Sequence, residues 1–254
     1  MSSTIIKENH FEYIDSGKGE PIVLLHGLMG SLSNFKSCIQ TLPKKGFRVI
    51  LPILPIYDLP LLKTNAKELS KFLEKFIKYL NLKDFFLLGN SLGGHVGLIY
   101  SKNNPKKAKG LILTGSSGLY ENALGGSFPK RGDYNYIKNK TEEVFYDPKN
   151  ANKKLVDEVF ETINNRKKLI KILAMAKSAM RHNMKKDLHN IQTPTCLIWG
   201  ENDKITPPKV AIEFDKLIPN TKLFWLEKCG HAPMMEQSKK FNEILYNWVQ
   251  QIKT

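Results

Sequence analysis

The chain is poor in cysteine, in acidic residues and in long apolar runs, and each shortage excludes something. Its three cysteines, Cys38, Cys196 and Cys229, are too few and too scattered for a disulfide framework, and none has metal-ligand spacing. Cys196 falls in an apolar segment and reads as a small core residue. Cys229 stands two residues before His231 and is a candidate to line a site there. No apolar stretch is long enough to cross a bilayer, and the opening residues Met1 to Glu8 lack the extended apolar region of a secretory signal. The expectation is a soluble, cytoplasmic protein without stable membrane insertion.

Asp and Glu number 24 against 39 Lys and Arg, leaving a formal net charge of +15. Such a balance raises nucleic acid or an acidic surface as a partner. Here the lysines are spread along helix faces and loops, with no long basic run and with abundant asparagine beside them. That is a general compositional bias, and no nucleic-acid partner is expected. The turn Ser16-Gly17-Lys18-Gly19-Glu20 lacks the spacing of a phosphate loop.

What is present is an alternation of apolar strands and amphipathic helices. Ile22-Val23-Leu24-Leu25, Phe85-Phe86-Leu87-Leu88, Gly110 to Thr114 and Thr195 to Trp199 are continuous apolar runs, as in parallel strands buried on both faces. Phe47 to Leu51 and Lys222 to Leu226 read as further strands, and His10 to Asp15 as a leading one. Helices are expected over Ser31 to Leu42, after an N-cap at Thr64, after Ser91, over Pro208 to Ile218 and over Glu236 to Ile252. The proline-rich segment Pro52 to Pro60 predicts a fixed, irregular loop. From about Ser117 to Asn190 the alternation lapses into a glycine-bearing opening (Gly118, Gly125, Gly126) and helical stretches. The fold class predicted is α/β: a doubly wound, mostly parallel sheet over residues 1–116 and 191–254, with a helical cap inserted at 117–190.

The chemistry centres on Gly89-Asn90-Ser91-Leu92-Gly93-Gly94, between an apolar strand and a helix. A serine with glycines two residues to either side fits a strained strand-to-helix turn, the nucleophile elbow, which lifts the hydroxyl above the sheet edge. A serine hydroxyl is a weak nucleophile without a base, and the base works best when a carboxylate orients it. Such groups belong on loops at the C-terminal ends of strands. Asp203 in Trp199-Gly200-Glu201-Asn202-Asp203 and His231 in Cys229-Gly230-His231-Ala232-Pro233 occupy such loops. Glu201 is a rival acid, earlier in its loop; His26, His95, His182 and His189 are rival bases, placed by the pattern at a turn, in a helix and in the cap. The oxyanion donors expected are the backbone N–H groups of Leu28 and Leu92, each typically contributing roughly 3 kcal/mol in the transition state. No metal or cofactor is expected.

The motifs H-G-x-x-G, G-N-S-x-G-G, W-G-x-x-D-x-x-x-P and G-H-x-P-x-x-E, in this order and along essentially the whole chain, resemble those of the α/β-hydrolase superfamily. The resemblance implies Ser91 as nucleophile, His231 as base, Asp203 as acid, and a cap over the pocket. The motifs say less about substrate, and the first reading is a hydrolase of small to medium apolar carboxylic esters acting through an acyl-enzyme. The alternatives are a carbon–carbon bond hydrolase of vinylogous diketo acids, similar to those that cleave ring-fission products, or a ligand-binding or signalling protein that keeps the fold. Asn90 fits the carbon–carbon hydrolases. Val159 and Ala232 do not, since those enzymes usually carry an arginine and a tryptophan at the corresponding places, and Pro52 to Pro60 replaces the usual D-x-P-G-x-G.

Overall fold

The computed structural model describes residues 4–30, 32–120 and 130–252. Eight strands form one sheet: β1 (Ile6–Glu8), β2 (Phe11–Ser16), β3 (Glu20–Leu25), β4 (Phe47–Pro52), β5 (Phe85–Asn90), β6 (Ala108–Thr114), β7 (Thr195–Gly200) and β8 (Thr221–Leu226). Their spatial order is β1-β2-β4-β3-β5-β6-β7-β8. The pairs β1–β2 and β2–β4 are antiparallel and the other five are parallel.

The strand pleat sorts the apolar runs onto two faces. Val23, Leu25, Leu87, Leu111, Leu113, Leu197 and Trp199 point into one core, with α2 (Ala66–Tyr79), α3 (Leu92–Asn103) and α7 (Pro208–Leu217). Ile22, Leu24, Phe86, Leu88, Ile112, Cys196 and Ile198 point into the other, with α1 (Lys36–Thr41) and α9 (Ser238–Gln251). All six residues of β5 and of β7 are buried, which explains why neither strand shows a polar face. Cys196 is one of these core residues.

Between β6 and β7 lie α4 (Tyr134–Glu142), α5 (Lys153–Asn164) and α6 (Arg166–Arg181). They meet on Ile137, Ile163 and Ile172, and Leu28 and Tyr57 of the sheet's loops pack against that cluster. Gly125 and Gly126 lie outside the described residues. Among the described residues no helix is long and apolar enough to cross a membrane.

Several boundaries differ from the sequence expectation. The N-cap of α2 is Asn65, whose side chain accepts the Glu68 N–H at 3.0 Å, while the Thr64 hydroxyl donates back to the Pro60 carbonyl. The helix expected over Ser31 to Leu42 is α1 flanked by 3-10 turns at Leu32–Phe35 and Leu42–Lys45, with Ser31 itself outside the described residues. The closing helix expected over Glu236 to Ile252 is α9, and Gln237, outside helical angles, sets it off from a separate short helix α8 (Pro233–Glu236) opened by a proline at its first position. The three-residue edge strand β1 has no apolar periodicity to announce it.

Candidate active site

The first component is the turn between β5 and α3. Ser91 has φ 53° and ψ −119°, in the left-handed half of the map where a side chain is strained. Its N–H donates to the Thr114 carbonyl of β6 at 3.1 Å, and its own carbonyl accepts from the His95 and Ser117 N–H groups at 3.2 Å each. Those bonds hold the strained serine, half-buried at the mouth of a cavity. Glycine is required on both sides. A Cβ at Gly93 would stand 2.1 Å from the Leu25 carbonyl oxygen, and one at Gly89 would stand 2.5 Å from the Gly93 backbone.

This close approach yields a stability prediction. Gly93→Ala forces backbone against backbone, with no rotamer to relieve it, and loses more than about 3 kcal/mol of stability. Gly97→Ala, one turn on, meets the flexible end of Leu111 at 3.1 Å and changes stability by less than about 1 kcal/mol. Urea melts of both variants decide it; equal melts would refute the close packing of helix on strand.

The second component is a buried Asp–His pair carried by the loops after β7 and β8. Asp203 is 3% exposed and His231 7%. His231 Nδ1 lies 2.9 Å from Asp203 Oδ2. The other carboxylate oxygen accepts from the N–H groups of Ile205 and Thr206 at 2.8 and 2.9 Å, and the Thr206 hydroxyl donates to Oδ2 at 2.7 Å. Thr206 is itself fixed, since its carbonyl accepts from Trp199 Nε1 at 2.8 Å. Glu201, the rival acid, is exposed.

Side chains tie the components together. Asn90 Nδ2 donates to the carbonyls of Thr114 and His231, at 3.0 and 3.2 Å, so the residue before the elbow holds the histidine loop. Glu236 gathers the N–H groups of Tyr146, Asp147 and Gly230 at 3.2, 2.7 and 2.6 Å. With the His231 N–H donating to the Val144 carbonyl at 2.8 Å, this fastens the segment after α4 to the histidine loop. The G-H-x-P-x-x-E motif signalled Glu236 but not this role, and nothing in the sequence singled out Thr206.

Ser91, His231, Asn90, Gly27 and Leu28 line one cavity of about 200 Å³, with Ile137, Leu155, Val159, Ile163 and Ile172 from α4, α5 and α6 forming much of its wall. Gly27 lies so near the elbow that a Cβ on it would be 3.3 Å from Ser91 Cβ. Leu92 is the first residue of α3, where the N–H has no partner four residues back within the helix. Cys229 is buried and does not line the cavity; burial pushes its thiol well above the ordinary range. Among the described residues, no group of three or more His, Cys, Asp or Glu converges as metal ligands would.

The remaining histidines are structural or remote. His26 Nδ1–H donates to the Gly27 carbonyl at 2.9 Å and Nε2 accepts the Leu54 N–H at 3.0 Å, so this ring braces the proline-rich loop. His95, fully buried, shares a 2.9 Å hydrogen bond with His182. Burial lowers the pKa of His26, and burial with the nearby His182 lowers that of His95 to about 3. The unfolded chain takes up protons near the ordinary value of 6.5, whereas the folded chain refuses them. Stability therefore rises with pH through this window and is lost on acidification, by up to ~1.4 kcal/mol per pH unit for each histidine. Urea unfolding should show a loss of about 1–2 kcal/mol between about pH 6.5 and 5 from His95, with His26 adding in the same direction, above the range where most carboxylates titrate. A flat profile there would contradict the neutral, buried state of both rings.

A parallel sheet of this order, a strained serine after β5 and a buried Asp–His pair after β7 and β8 define the α/β-hydrolase class. The sequence profile of the alpha/beta hydrolase fold matches residues 20–187 and 160–238, and the chain belongs to this family of hydrolases. A crystal structure of an α/β hydrolase enzyme from the metagenome of sediments of the Mar Chica lagoon, Morocco, is 43% identical, with a TM-score of 0.81 over 99% of this chain and 100% of that one. The 2-hydroxy-6-oxononadienedioate/2-hydroxy-6-oxononatrienedioate hydrolase of Cupriavidus pinatubonensis is 26% identical over 92% of this chain and 89% of its own length. Lipase 1 of Psychrobacter immobilis is 27% identical over 92% of this chain and 79% of its own length.

Proposed function

We propose that the protein is a serine hydrolase that cleaves carboxylic esters of small to medium apolar acyl groups. Ser91 attacks the carbonyl, His231 takes the serine proton and delivers it to the leaving alcohol, and Asp203 stabilises the imidazolium. The N–H groups of Leu28 and Leu92 receive the oxyanion. Water activated by His231 then releases the acid. Residues 117–190 act as a cap that shapes the acyl pocket, and no metal or cofactor takes part.

The observation that carries the ester reading is the lining of the cavity. Among its described lining residues the charged ones are Lys140 and Glu143, and these are paired with each other at 2.8 Å. A diacid of the kind named for the Cupriavidus enzyme would bring carboxylates into walls of Ile137, Leu155, Val159, Ile163 and Ile172. An uncharged acyl chain suits those walls better, in keeping with the name of the Psychrobacter relative. The test is turnover of p-nitrophenyl esters from acetate to decanoate beside a vinylogous diketo acid. Turnover confined to the diketo acid would replace the ester reading with the carbon–carbon one. Tight apolar ligand binding with no turnover of either would favour the binding-protein reading.

A further inference from the structure

A second cavity, of about 290 Å³, lies away from Ser91 between α2, α3 and the segment after α6. Lys67 and Lys71 enter it from α2, Lys102 from α3, and His182 and Asp187 from the segment after α6, with Ile99 and Met184 giving it an apolar side. Three lysines and one aspartate thus line it. Asp187 pairs with Lys102 at 2.7 Å. Lys71 reaches Glu68 at 2.7 Å across an exposed helix surface, where such pairs contribute little. With Lys71 matched by Glu68 and Lys102 by Asp187, the charge of Lys67 remains as the positive excess at the concavity.

His182 separates this place from an ordinary lysine-rich surface. Its Nδ1 is engaged with His95 Nε2 at 2.9 Å and the two rings stack, which fixes the imidazole against the core. Nε2 is the ring nitrogen not used in that bond. Burial, with Lys67 next in weight, lowers the His182 pKa.

We propose that this cavity binds a small phosphorylated molecule, its phosphate held by Lys67, Lys71, Lys102 and His182, its carbon skeleton against Ile99 and Met184. Donors from three separate elements suit a tetrahedral group with several acceptor oxygens. Lysine binds phosphate as a point charge, whereas a flat carboxylate is best matched by an arginine fork. No arginine stands among the described lining residues. The volume leaves room beyond a bare phosphate, and the apolar side gives an organic body something to cover.

The test is calorimetric titration of the whole protein at low ionic strength with phenyl phosphate, inorganic phosphate and benzoate. The His182 ring resonances are followed in parallel. Phenyl phosphate is expected to bind at least about tenfold tighter than either of the others and to shift the His182 signals. The Lys67→Glu/Lys71→Glu variant, altered at exposed positions of α2, should weaken that binding by at least about tenfold while its melting and ester turnover match the parent. Co-sedimentation with phosphatidylcholine vesicles, with and without phosphatidic acid, identifies the source of the phosphate. Capture by phosphatidic acid that the double variant loses assigns the site to a lipid phosphate, and no capture assigns it to a soluble one. Failure of phenyl phosphate to bind at millimolar concentration overturns the proposal. So does binding indifferent to the double variant or matched by benzoate.

Discussion

Ser91→Ala is expected to lower kcat for p-nitrophenyl butyrate by about 10⁶-fold, leaving the melting temperature and ligand affinity nearly unchanged. The size follows from chemistry: without the hydroxyl no acyl-enzyme forms, and what survives is the contribution of substrate binding and the oxyanion donors. The fold should tolerate the change. Alanine keeps the Cβ that serine already carries at φ 53°, and the bonds that hold the turn are backbone bonds to Thr114, His95 and Ser117. The Ser91 side chain makes no capping bond to α3 whose loss would weaken the helix. Steady-state kinetics and thermal melts on the same preparation check both halves. Full activity in the variant would remove Ser91 from the mechanism.

Much of this site was legible because its physics is local. The Gly89 to Gly94 turn needs small residues wherever backbones nearly touch, and Gly93 against Leu25 shows why. The continuous apolar runs marked β3, β5 and β7 because strands covered on both faces have no polar side to show. Residues 203 and 231 were legible as loop positions after strands, and the structure brings their side chains to 2.9 Å. What stayed hidden depends on contacts between distant segments. Thr206 looks like any loop threonine until its hydroxyl is seen on Asp203. The proline-rich segment gave no hint that Leu54 would cap His26, and no spacing rule joins His95 to His182 across the sequence. The Thr64 misplacement is instructive: two adjacent residues can both cap, and the backbone angle at Asn65 decides which one does.

Asp203→Asn is expected to lower kcat by about 10⁴-fold with little change in stability. The carboxylate has four donors directed at it: the N–H groups of Ile205 and Thr206 on Oδ1, the Thr206 hydroxyl and His231 Nδ1 on Oδ2. An asparagine can keep its carbonyl oxygen towards the two backbone donors, so the loop retains its shape. Its amide then stands where Oδ2 was and donates to His231 Nδ1 instead of accepting from it. The imidazole is driven to the tautomer with its proton on Nε2, and a protonated Nε2 cannot accept the proton of Ser91. Two controls separate this from a general disturbance of the loop. Thr206→Val removes one donor to Oδ2 but leaves the aspartate to select the tautomer, so the loss should stay below about tenfold. Glu201→Gln, at an exposed position, should change kcat less than about twofold. If Glu201→Gln proved the damaging change and Asp203→Asn the mild one, the acid would have been assigned to the wrong residue of this loop.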